Sequence, residues 1–139
     1  MDVVRKWMPI SLLVFAVASA FCYWWLLIWI DSDFAEEALL NYSCDDGDVS
    51  AIVRDESDVL ALKQVLRGNA FLSGPSCGFS TDLSVMMLNR RKRIVFCIAC
   101  DGCPVVRVGE FGRHFVISSD DRALLDNVFE KYGVRARCI

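Results

Sequence analysis

The chain is poor in the residue types that announce chemistry. It holds a single histidine, His114, and a catalytic role for it would need a nucleophile or carboxylate brought close by the fold. His114 is read instead as a surface or half-buried strand residue. No Gly-rich phosphate loop, GxSxG elbow or HExxH pair occurs, which removes the usual signatures of phosphate-loop nucleotide binding, α/β-hydrolases and zinc peptidases. Repeats and low-complexity tracts are absent, which excludes solenoids and arrays. Positive charge is not in excess either. The formal net charge is −3, and a mildly acidic chain is a poor candidate for general nucleic-acid binding. Asp45, Asp46 and Asp48 around Gly47 lack the spaced acidic positions and terminal glutamate of a calcium loop, and are read as a turn. The expectation is a non-enzyme without a cofactor.

Charge itself is missing from Trp7 to Ile30, a run of 24 residues. As a helix it would extend about 36 Å, enough to cross a hydrocarbon core of about 30 Å with some tilt. Arg5 and Lys6 precede it; Asp31, Asp33, Glu36 and Glu37 follow it. A basic flank favours the cytoplasmic side. Trp7 at one end and Trp24, Trp25 and Trp29 near the other suit the two interfaces. The expected organisation is a cytoplasmic tail over 1–6, a transmembrane signal-anchor over 7–30, a stalk with a short helix over 31–48 and an extracytoplasmic domain over 49–139. Ala18-Ser19-Ala20 looks like a signal-peptide cleavage site. Cleavage after Ala20 would leave a mature chain beginning FCYWWLLIWI, too apolar for water, so an uncleaved anchor is expected.

Cysteine is the one reactive type in supply, with seven. Setting aside Cys22 in the apolar run leaves Cys44, Cys77, Cys97, Cys100, Cys103 and Cys138. An even number in a small extracytoplasmic domain favours disulfides. Cys100 and Cys103 flank Asp101-Gly102, a turn dipeptide that could bring them within bonding reach; Cys97 would then pair with Cys44, Cys77 or Cys138. The competing reading is metal or thiol-redox chemistry. Cys97, Cys100 and Cys103 have the two-residue gaps of zinc and iron–sulfur ligands, and Cys77 or His114 could complete four.

Arg90-Arg91-Lys92-Arg93 is the sharpest charge feature. It reads as a solvated hairpin tip, or as a grip on anionic lipid, a polyanion or an acidic partner; with its neighbouring apolar residues it is the expected protein-contact surface. Hydrophobic patterning predicts a helix over 34–42, capped by Asp33; a strand over Val49 to Arg54; and a helix from Asp55 or Ser57 to about Arg67. It then predicts a loop over 69–82, strands over 83–88, 93–99, 105–108 and 114–118, and a final helix from about Arg122 to Tyr132. The fold class is α+β, with a mostly antiparallel sheet of four to five strands and two packed helices.

Cys77-Gly78-Phe79-Ser80, preceded by Gly74-Pro75, is similar to the CGFS active-site motif of monothiol glutaredoxins. The resemblance implies iron–sulfur coordination through the Cys77 thiol. It covers four residues, and the surroundings depart from the family. A helix and loop lead in where the family has a strand carrying a lysine. The following segment reads as a strand where the family has a helix. Cys103-Pro104-Val105 is only a faint echo of the family's cis-proline segment. The plainer reading is a turn whose cysteine is disulfide-bonded. The function expected is therefore a membrane-anchored binding or regulatory module acting by protein–protein contact, with a thiol-redox or metal-binding membrane protein as the alternative.

Overall fold

A computed structural model of the chain describes residues 2–26, 28–44, 47–71, 77–99, 101–109 and 112–134. Side chains are described for 10–23, 29–43, 47–71, 77–79, 83–99, 101–109 and 112–134. The fold is α+β. Its elements are α1 (Asp2–Leu26), β1 (Ile28–Ile30), β2 (Glu37–Cys44), β3 (Gly47–Val53), α2 (Glu56–Val65), β4 (Gly68–Ala70), β5 (Phe79–Leu88), β6 (Arg93–Ala99), β7 (Val105–Val108), β8 (Arg113–Val116) and α3 (Ser119–Lys131). Six strands form one sheet in the order β3-β2-β5-β6-β7-β8, with every neighbour antiparallel. β1 pairs with β4 in a separate ribbon.

Strand alternation divides the sheet into two faces. On one face Ala38, Leu40 and Tyr42 of β2 meet Met87, Val85 and Leu83 of β5. The row continues through Phe96 and Ile98 of β6, Val106 and Val108 of β7, and Phe115 of β8. All of these are buried in one cluster with Val59, Leu62 and Val65 of α2 and Leu125, Val128 and Phe129 of α3. Both helices therefore cover this face. Phe96 and Phe115 meet edge to face with ring centres 6.2 Å apart.

Local chemistry fixes where the helices begin. The Asp55 carboxylate accepts the N–H groups of Ser57 and Asp58, capping α2. Ser118 and Asp121 form a reciprocal capping box at the start of α3. Asp58 then ties the helices together, accepting from Lys131 at 2.6 Å and from the Tyr132 hydroxyl at 2.7 Å. The hydrogen bond to Asp58 pushes the Tyr132 phenol up to about 12.

Three expectations are corrected. Residues 34–42 form no helix; the segment becomes β2, paired on both sides. Its Ala, Glu and Leu favour helix locally, but Ala38, Leu40 and Tyr42 have the period of a strand, and a central place in the sheet outweighs propensity. The apolar run does not stay helical to Ile30. α1 stops at Leu26, and Ile28–Ile30 is a strand. Trp29, expected at a membrane interface, lies opposite Asn69 in that ribbon. β5 starts at Phe79 rather than Leu83, through an irregular register between Phe79 and Ser84.

The register also orders the two ends of the sheet. The β5–β6 turn, the end of β7, the start of β8 and the start of β2 share one end. The β6–β7 turn and the start of β5 share the other. Phe71, just after β4, bridges His114 antiparallel. β4 thus opposes β8 and β1 opposes β4, so β1 begins at the end that carries the β5–β6 turn.

α1 presents Ile10 to Tyr23 as exposed, uncharged side chains. Among the described residues no helix is long and apolar enough to cross a membrane.

Candidate functional site

The second face of the sheet combines the features that could meet another molecule. One cross-strand row is apolar: Ile52 lies opposite Leu39, Leu39 opposite Met86, and Met86 opposite Val95. Leu39, Met86 and Val95 are half-buried, and Ile52 is 53% exposed. The adjacent row is polar: Ser50, Asn41, Ser84, Cys97, Arg107 and His114 oppose one another in sequence across all six strands. Toward the basic tip, Glu37, Leu88 and Arg93 complete the pattern, with Glu37 held by Arg54 at 3.0 Å.

The basic tip is a well-made turn. The Asn89 side-chain oxygen accepts the N–H groups of Arg91 and Lys92, both at 2.8 Å. Its amide donates to the Phe34 carbonyl at 2.9 Å. The Lys92 ammonium sits 4.4 Å from the centre of the Phe34 ring. Arg90, Arg91, Lys92 and Arg93 are all exposed. A shallow groove of about 520 Å³ runs beside the tip, lined by Glu36, Glu37, Arg54, Leu88, Asn89 and Arg90.

At the far side of the polar row, Phe79 packs on two neighbours, the His114 imidazole and the Arg107 guanidinium. Its ring lies 5.1 Å from the His114 ring and 5.3 Å from the Arg107 guanidinium carbon. Burial, then the charge of Arg107, lowers the pKa of His114, while its bond to the Gly112 backbone works the other way. Arg107 Nε and His114 Nδ1 are buried without a hydrogen-bond partner among the described residues. The exact Arg107–His114 and Cys97–Arg107 pairs depend on register between strands.

The cysteines are arranged differently from expectation. Cys103 is bonded to Cys77, with Cα atoms 6.0 Å apart, so the Cys100–Cys103 pair is overturned. The Asp101-Gly102 turn does form, with Gly102 at φ +77°. It serves a longer link: Asp101 accepts the N–H of Gly78 at 2.7 Å and of Cys103 at 3.1 Å. Those bonds, the one from Gly78 first, hold its carboxyl below the usual value. Cys97, expected to reach a distant cysteine, is a free thiol and 3% exposed. Of the candidate metal set Cys97, Cys100, Cys103 and Cys77, two are spent on the disulfide, and Cys100 lies outside the described residues. Among the described residues no group of three His, Cys, Asp or Glu side chains could hold a metal. Cys44 ends β2 opposite Gly47, its side chain outside the described set, as is Cys138. Cys22 is an exposed thiol on α1. In the CGFS segment, Cys77 is disulfide-bonded and Phe79 opens a strand. The structure thus gives the glutaredoxin resemblance neither the free thiol nor the following helix.

No known protein family matches the chain, and no curated protein or solved structure shows significant similarity to it.

Proposed function

We propose that this chain is a single-pass membrane protein that holds its sheet domain outside the cytoplasm and acts there by protein–protein contact, as an inhibitor, an immunity-type protein or an assembly subunit. The observation that carries the reading is the in-register apolar row Ile52–Leu39–Met86–Val95 on the second face. An aligned apolar row bordered by polar side chains is the pattern of a docking surface rather than of scattered surface residues.

α1 supplies the anchor in this reading. Its described side chains, residues 10–23, cover only about 21 Å. The uncharged run within the helix reaches from Trp7 to Leu26, about 30 Å, which equals a typical hydrocarbon core. Exposure of Phe15 at 74% and Leu13 at 66% is costly in water and favourable in lipid. Arg5 and Lys6 ahead of the run support a cytoplasmic N-terminus. The Cys77–Cys103 pair supports an oxidising location for the domain.

The test is site-specific photo-crosslinking in intact cells. A photoreactive residue at Met86 should yield one discrete adduct, and one at Gln64, exposed on α2, should yield none. Adducts of the same size from both positions, or from neither, would refute the assignment of the second face.

A second reading, thiol-redox chemistry, is favoured by one observation: the free Cys97 thiol lies opposite the Arg107 guanidinium. Alkylation followed by mass measurement separates the two. Reactive Cys97 in the native protein, or bound zinc or iron, supports thiol or metal chemistry; a thiol that reacts only after unfolding supports the binding module.

A further inference from the structure

The β5–β6 tip and the start of β1 belong to the same end of the sheet. β1 begins there because it opposes β4, which opposes β8 through the Phe71–His114 bridge. α1 ends at Leu26, two residues before β1, so it joins the domain at that end. The tip is fastened to the same stretch of chain. Asn89 donates to the Phe34 carbonyl, Lys92 covers the Phe34 ring, and the Glu36 N–H donates to the Leu88 carbonyl at 3.0 Å. These contacts hold the tip to residues 34–36, eight to ten residues beyond the end of α1.

Four consecutive cations are exposed at this place, Arg90, Arg91, Lys92 and Arg93. Among the described residues none of their side chains is in an ion pair. The groove beside them is lined by two acidic groups, Glu36 and Glu37, and Glu37 is already paired with Arg54. Cationic excess at the anchor end of the domain is complementary to a bilayer leaflet that carries anionic headgroups. Each Lys or Arg held near that layer contributes, and the attraction falls off within about a Debye length.

We infer that the Arg90–Arg93 turn is a lipid-facing clamp that binds anionic phospholipid headgroups and fixes the tilt of the domain on its membrane. This rests on the reading of α1 as the anchor. It leaves the Ile52–Leu39–Met86–Val95 row turned along the membrane, free for a protein partner.

The experiment uses the full chain in lipid nanodiscs, one set zwitterionic and one containing about a third phosphatidylglycerol. Co-elution with the discs is scored first. The acylation rate of Lys92 by an amine-reactive reagent is then read by mass spectrometry, with Lys63 on α2 as internal reference. The expected result is a Lys92 rate at least threefold lower in the anionic discs, restored by about 0.5 M salt, where the screening length is only a few ångström. The Arg90→Gln/Arg91→Gln/Arg93→Gln variant keeps the Asn89 turn and should lose most of that protection. A chain that never enters either disc refutes the anchor reading, and the clamp with it. A chain that enters both but shows equal Lys92 rates refutes the clamp alone. Protection that appears only when another protein co-purifies in the disc overturns the lipid assignment in favour of a protein ligand.

Discussion

The two faces of the sheet are built from the same strands and differ in what covers them. The inner face is a continuous apolar layer under α2 and α3, with Leu40, Val85, Phe96 and Val108 buried and in register. The outer face alternates an apolar row with a polar one and keeps Ile52 and Val116 exposed, at 53% and 69%. The inner face holds the fold together. The outer face contributes less to stability, and its apolar row is available for contact although Ser84 and Cys97 in the polar row are buried; the first prediction below turns on that difference.

The largest contrast should come from neighbouring residues on opposite faces. Phe96→Ala empties a fully buried site and should cost about 3–5 kcal/mol. Met86→Ala, on the outer face, should cost under about 1 kcal/mol by the same denaturant titration. Equal losses would erase the distinction. Next comes the cross-link at the end remote from the basic tip. Cys103→Ser breaks the Cys77–Cys103 bond, which closes a 26-residue separation, and should cost about 2–4 kcal/mol. Cys97→Ala removes a free thiol and should cost only about 1 kcal/mol. A larger loss from Cys97 would mean that it, too, is cross-linked.

Tyr132→Phe removes one of the two bonds that join the helices through Asp58, and should cost about 1 kcal/mol in a thermal melt. The smallest effect concerns His114, whose pKa is lowered in the folded state, first by burial and then by Arg107. The unfolded chain binds that proton more readily, so stability is full above about pH 6.5 and declines as pH falls through the lower folded value. A His114→Gln variant should show a flatter stability profile between about pH 4 and 7. An unchanged profile would place the titration elsewhere.

Much of the inner face was legible because it repeats a simple period. β6, β7, α2 and α3 follow from alternating or helical apolar spacing, and α2 also from its cap Asp55; the cap of α3 falls at Ser118, one residue ahead of Ser119, which with Asp120 was the expected cap. β2 was not legible as a strand, since Glu36, Glu37, Ala38, Leu39 and Leu40 suit a helix until β3 and β5 flank them. β1 was hidden inside the apolar run for the same reason: only its pairing with Gly68–Ala70 separates it from α1. The outer face was the least legible. The basic turn could be read as a charge run, but the apolar row exists only once four strands are in register, and the Cys77–Cys103 partner choice only once β5 is bent between Phe79 and Ser84.

The proposed function depends on the domain lying across the bilayer from Arg5 and Lys6. A reporter fused after Ile139 reads this directly. Alkaline phosphatase, which matures only outside the cytoplasm, should be active there, and green fluorescent protein, exported unfolded at the same position, should be dark. Bright fluorescence with silent phosphatase would put the domain in the cytosol and contradict the account.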